Sequence, residues 1–197
     1  MSTQPIPALT VAQYLEIERE AEFKSEYLNG EVFARAGATL NHALIASAAL
    51  STLGVQLRDK PCSAAGSDLR VFCPAVNILT YPDVTVFCEP ARFLDHDEDT
   101  LTDASVIVEV LSRSTRNYDR AEKFRFYRSL PSFSEYLLLA SDAIRAEHYA
   151  RQTDGSWLFR EHTNPQTVID LKSIGCRLTL NALYLKARFP ASQPLRP

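Results

Sequence analysis

The sequence predicts one mixed domain, α/β or α+β, and three observations carry that expectation. Two segments read as well-marked helices: 41–58, where Leu44, Ala48, Leu50, Leu53 and Leu57 recur at helical spacing, and 119–129, stopped by Pro131. Short apolar or alternating runs of strand length lie around them. No internal repeat or low-complexity linker divides the 197 residues, whose 46% hydrophobic and 23% charged content suits one globular core. The expected domain is 1–189, with a disordered tail over 190–197 that carries three prolines.

In chain order, Thr10 reads as the N-cap of a helix running to about Glu20. Tyr27–Phe33 contains Asn29-Gly30, the pair that favours a two-residue hairpin turn. The alanine-rich 41–58 helix suits close packing on a sheet and ends at Lys60-Pro61. Strands are expected near 62–65, 68–73, 84–88, 105–111, 135–140 and 144–150, and a further pair near 157–162 and 167–170 extends the sheet. The acidic stretch 93–103, FLDHDEDTLTD, reads as an exposed loop or lid.

Composition narrows the function. A net charge of −3 argues against bulk electrostatic binding to nucleic acid, though it leaves room for a local basic groove. No apolar run approaches the roughly 18 residues of a membrane span, and the N-terminus does not resemble a signal peptide, so a cytoplasmic location and no membrane partner are expected. Cys62, Cys73, Cys88 and Cys176 show no metal-ligand spacing and read as reduced, buried small hydrophobes. Ser-His-Asp catalysis is disfavoured, because there is no GxSxG elbow and His42, His96, His148 and His162 are scattered.

The informative chemistry is in the carboxylates. Pro82-Asp83 heads an alternating run, and Glu109 interrupts Val106-Ile107-Val108-x-Val110-Leu111. A glutamate inside such a strand is rarely buried without a partner. If the two strands are neighbours, both side chains project to one side of the sheet, and a hard divalent cation removes their repulsion. That combination suits phosphodiester hydrolysis. The strand position two residues beyond Glu109, where a cation would share its face, is Leu111; the nearest candidate cation is Lys123, four residues after Asp119.

These residues carry a resemblance. Pro82-Asp83, Val108-Glu109-Val110-Leu111-Ser112-x-Ser114-Thr115, Asp119-x-x-x-Lys123-x-x-x-Tyr127 and Glu135-Tyr136-Leu137-Leu138 resemble the Uma-type restriction endonuclease family, a large bacterial family of the PD-(D/E)XK nuclease superfamily. Lys24-x-Glu26-Tyr27-Leu28-x-Gly30-Glu31 and His42 are similar too, so the resemblance spans about 10–185. It implies a restriction-endonuclease-like αβββαβ core with a mixed central sheet, an added N-terminal helix and hairpin, and C-terminal strands. The core is the 41–58 helix, three strands ending at 105–111, the 119–129 helix and the 135–140 strand.

The resemblance further implies a Mg²⁺-dependent site, with Mn²⁺ as substitute: Asp83 and Glu109 as ligands and Lys123 as a relocated lysine. Glu26, His42 and Asp119 are possible members, and Ser112, Arg116 and Arg120 candidate phosphate contacts. Arg113 departs from the family's usual proline. The expected partner is nucleic acid, DNA first, with a homodimer expected for cutting both strands.

Each residue has a structural alternative. Asp83 could cap a turn, Glu109 could pair internally with Lys123, and Lys123 could form an exposed i, i+4 pair with Asp119. Glu26 could hold a hairpin salt bridge, and Ser112, Ser114 and Thr115 could simply shape a turn. Two functions therefore stand: a Mg²⁺-dependent endonuclease, or a catalytically silent protein of the same fold acting as a binding or regulatory subunit.

Overall fold

The computed structural model describes residues 8–35, 37–112 and 115–189. The 190–197 tail, Arg113 and Ser114 lie outside them.

The first helix, α1 (Val11–Glu20), starts as expected, with Thr10 and Gln13 forming a reciprocal capping box. Strands β1 (Ser25–Leu28) and β2 (Glu31–Ala34) form the hairpin. Its turn places Asn29 at φ 49° and Gly30 at φ 102°, and a Cβ on Gly30 would lie 2.5 Å from that of Ala8. Thr39 caps α2 (Leu40–Leu57).

The remaining elements are β3 (Cys62–Gly66), β4 (Arg70–Cys73), β5 (Ile78–Thr80), β6 (Val84–Cys88), β7 (Thr100–Leu101) and β8 (Val106–Leu111). A helical run follows: α3 (Arg116–Tyr118), a π turn (Asp119–Lys123) and α4 (Phe124–Tyr127). Then come β9 (Glu135–Ala140), β10 (Ala146–Arg151), β11 (Trp157–His162), β12 (Val168–Leu171), β13 (Cys176–Thr179) and α5 (Leu180–Leu183).

Six strands form the central mixed sheet, in the order β11-β10-β9-β8-β6-β3, with β8 and β9 parallel and the other neighbours antiparallel. The expected αβββαβ order is present as α2, β3, β6, β8, the helical run and β9. One face, including Val84, Val108, Val110 and Leu137, packs under α2 and the β12–β13 hairpin. The other face, including Ile107, Leu111, Tyr136 and Leu138, packs against Phe126 and Tyr127 of α4 and against β4. A second sheet, in the order β2-β1-β5-β4-β7, carries α1.

Several expectations are corrected. β12 pairs with β13 in a separate hairpin, so only β11 of the predicted pair extends the central sheet. The 93–103 stretch is anchored rather than lid-like: Thr100 and Leu101 are buried in β7, parallel to β4, and Arg19 binds Asp95, Asp97 and Asp99 at 2.8 Å each.

Cys62 and Cys88 are not reduced. They are directly opposite on antiparallel β3 and β6 and form a disulfide, a pairing invisible without the strand register; Cys73 and Cys176 are free and buried as expected. The 18 residues of α2 do reach membrane-span length and apolarity. Their buried stripe, Ile45, Ala49, Leu53 and Leu57, belongs to the central core.

Candidate active site

β6 and β8 pair as Val86↔Val106, Thr85↔Ile107 and Val84↔Val108. Continuing that register sets Asp83 opposite Glu109, on adjacent strands. Side-chain alternation then puts Glu109 with Ile107 and Leu111, on the face covered by α4. Asp83 also stands in for a ladder carbonyl, because its Oδ2 accepts the Val110 N–H at 2.7 Å.

The helical run brings the cation to this face. Lys123 is 4% exposed, and its Nζ lies 3.0 Å from Glu109 Oε1, 3.3 Å from Glu26 Oε1 and 3.4 Å from Asp119 Oδ1. Asp119 and Lys123 stand four residues apart in the helical run and so share one face, and within the π turn both are buried on the site side. The carbonyl of Asp119 accepts the Tyr136 hydroxyl at 2.9 Å, and its carboxylate accepts Thr115 Oγ1 at 2.6 Å. The exposed-pair alternative for Lys123 and Asp119 is therefore excluded: they interact, but as buried groups shared with Glu109 and Glu26.

Glu26 enters from β1, and its Oε1 also accepts the Tyr81 N–H at 3.3 Å. His42, in the first turn of α2, places Nε2 3.1 Å from Asp83 Oδ2. Two contributors escaped the sequence reading. Arg35, just past β2, has Nη2 3.4 Å from Asp83 Oδ1, and only the hairpin's fold back over β5 could reveal it. Tyr127 donates to Glu109 Oε1 at 2.9 Å and pairs with Thr80 Oγ1 at 2.9 Å; the four-residue spacing from Lys123 was its signal.

All of the acidic groups, with Arg35, His42 and Lys123, line a cleft of about 1050 Å³. Ser112 lines it too, and its hydroxyl bonds Thr115 Oγ1 at 2.9 Å. Arg120 points elsewhere, to Glu147 on β10 at 2.6 Å, while Arg116 is paired at 2.8 Å with Asp142, a lining residue of the cleft.

The electrostatics follow from burial. Desolvation pushes the Glu109 carboxyl up to about 8, ahead of the opposing pull of Lys123. Asp119 is raised by the same cause. Burial works against charge on Lys123 too, but Glu109, Glu26 and Asp119 together hold its pKa well above the ordinary lysine value. For Asp83, burial is outweighed by His42 and the Val110 N–H, which keep its carboxyl below the usual range.

The donor set fits a small hard cation of the Mg²⁺ type, which takes one or two protein carboxylates and fills its remaining positions with water and phosphate oxygens. Asp83 and Glu109 offer such a pair. Among the described residues no group of three or more His, Cys, Asp or Glu side chains is arranged to hold a metal alone, so an all-protein cage is not present.

The chain has relatives in sequence and fold. An uncharacterized protein of Synechocystis sp., sll1609, is 37% identical over 153 residues, covering 78% of this chain and 86% of that one. A second from the same organism, slr1290, is 35% identical over 181 residues, covering 91% and 93%. The crystal structure of a "putative nuclease belonging to DUF820" from Anabaena variabilis superposes with TM-score 0.71 at 17% identity, covering 90% of this chain and 98% of that one, and shows a shared fold. The family model described as "Putative restriction endonuclease" matches residues 11–182, and with it the chain belongs to the Uma2 family.

Proposed function

We propose that the protein is a Mg²⁺-dependent endonuclease that hydrolyses nucleic-acid phosphodiester bonds. The carrying observation is the cross-strand placement of Asp83 and Glu109 with the Lys123 ammonium 3.0 Å from Glu109. Family membership supports a nuclease, and the cleft supplies the chemistry.

Asp83 and Glu109 would hold the cation, which when bound clamps the scissile phosphate and eases ionisation of the attacking water. Lys123 stays charged, so it acts as a fixed positive charge facing the negative charge that builds on the phosphate, not as a proton acceptor. Tyr127 fixes the orientation of Glu109, and His42 and Arg35 fix that of Asp83. Mn²⁺ is the expected substitute, DNA the first substrate to try, and a homodimer the expected form for cutting both strands.

One observation favours the silent-subunit reading: Lys123 is engaged by three carboxylates, an arrangement that also serves as a self-contained polar network. Cleavage of plasmid and single-stranded substrates in Mg²⁺ or Mn²⁺ separates the two. Asp83→Ala should lose nearly all cleavage, together with the Mn²⁺ heat seen by titration calorimetry in the wild type. Equal Mn²⁺ binding by both proteins, or a wild type that cuts nothing, would sink the endonuclease reading.

A further inference from the structure

We infer that the cleft takes a nucleic-acid strand with unpaired bases and that Phe33 is the platform on which one base stacks. The inference rests on the nuclease reading and names its substrate class.

Phe33 lines the cleft from β2, an edge strand whose four residues are all exposed. It is 47% exposed, belongs to none of the three apolar clusters and joins no aromatic pair among the described residues. Its backbone pairs with Glu26 across the hairpin, while its ring stays half in water beside the cleft. Neighbouring Leu40, 61% exposed, continues the apolar rim. Tyr118 also lines the cleft, but its half-buried ring packs against Phe126 and its hydroxyl is held to Glu26 at 3.5 Å, which leaves Phe33 as the open ring.

Charge makes the same case. Among the described residues, the cleft offers Arg35 and Lys123 as lysine or arginine cations, against the carboxylates of Glu26, Asp83, Glu109, Asp119 and Asp142. Both cations are already paired with those carboxylates. Duplex binding draws its affinity chiefly from cations on phosphates. A cleft poor in free cations, with one exposed ring at its rim, draws instead on base faces, which a duplex keeps stacked inside and a single strand or an everted nucleotide presents.

The test is fluorescence anisotropy with a short labelled strand, in Ca²⁺ in place of Mg²⁺. Four probes are compared: the single strand as DNA, the same strand as RNA, its duplex, and an abasic strand of equal length and charge. The expected order puts one or both single strands above duplex and abasic strand, with Phe33→Ala weakening single-strand binding roughly tenfold and Phe33→Trp keeping it. Because Phe33 is exposed, circular dichroism should show both variants folded.

Equal binding of abasic and base-bearing strands, tighter duplex binding, or no effect of Phe33→Ala would overturn the inference. So would a Phe33→Ala effect confined to self-association of the chain. Cleavage is read separately. A wild type that binds by Phe33 yet never cuts would refute the nuclease reading alone, and one that cuts with no dependence on Phe33 or bases would refute this inference alone.

Discussion

Lys123 shows how far a single residue could be read in advance. Its proximity to Glu109 was predictable from Leu111 occupying the strand position where a cation would share the glutamate's face. Its burial was not, because burial depends on Glu26 arriving from β1, a strand 97 residues earlier by number. That burial changes the expected phenotype. Removing one partner of a buried ionic network costs about 3–5 kcal/mol, so Lys123→Ala should lower stability as well as cleavage. Denaturant titration should show the loss, and adding Glu109→Gln should return part of it, a non-additivity that a surface pair would not give.

His148 makes a second prediction. It is 5% exposed, and burial depresses its pKa to about 4. Glu135 lies 3.8 Å away, but its carboxylate is occupied by the Lys172 N–H and the Ser173 hydroxyl, so desolvation governs. The unfolded chain then binds the extra proton between pH 6.5 and 4, and stability falls as pH drops through that window, by on the order of 3 kcal/mol. Denaturation midpoints at pH 7 and 4.5 check this, and His148→Leu should remove that share of the slope.

At the scale of elements, the alternation and apolar runs placed the central strands to within a few residues, because each buries a face. What they could not convey was pairing. β12 looked like another sheet strand until β13 claimed it, and the acidic 93–103 segment looked free because three aspartates in a row of six read as solvated. The disulfide was missed for the same reason, since register is a property of two strands.

The π turn is the least legible element: Asp119-Arg120-Ala121-Glu122-Lys123 carries no Pro or Gly to announce it. Deleting exposed Glu122 would shorten the Asp119–Lys123 spacing to three residues, which still share a helix face, and let the widened turn close to regular α-helix. The helical dichroism should survive, and Asp119 and Lys123 should still face the site together, so the denaturation midpoint should fall by less than in Lys123→Ala. A fall as large as that of Lys123→Ala would show that the widened turn itself places the lysine.

At the scale of the molecule, the sequence resolved the core order and the carboxylate pair, but not the second sheet, which builds one wall of the cleft and brings Glu26 and Arg35. With the two lysine or arginine cations that line the cleft already paired, the logarithm of single-strand affinity should fall with the logarithm of salt no more steeply than about −1.4, the slope of two free cations at roughly −0.7 per phosphate contact. A slope several times steeper would mean that a basic surface elsewhere carries the strand.

The hydrogen bond from Val110 to Asp83 has a use beyond holding two strands together. It couples a main-chain proton directly to the oxygen that the site would offer to a cation. Whatever draws electron density from Asp83 Oδ2 lengthens that bond, and the Val110 amide resonance should move upfield in step with Mg²⁺ addition. If the proposed cation binds at Asp83, that amide would report occupancy, readable in a nitrogen-15 spectrum with no substrate present and no turnover required. A Val110 signal that stays fixed while Mg²⁺ is added to saturation would place the cation elsewhere.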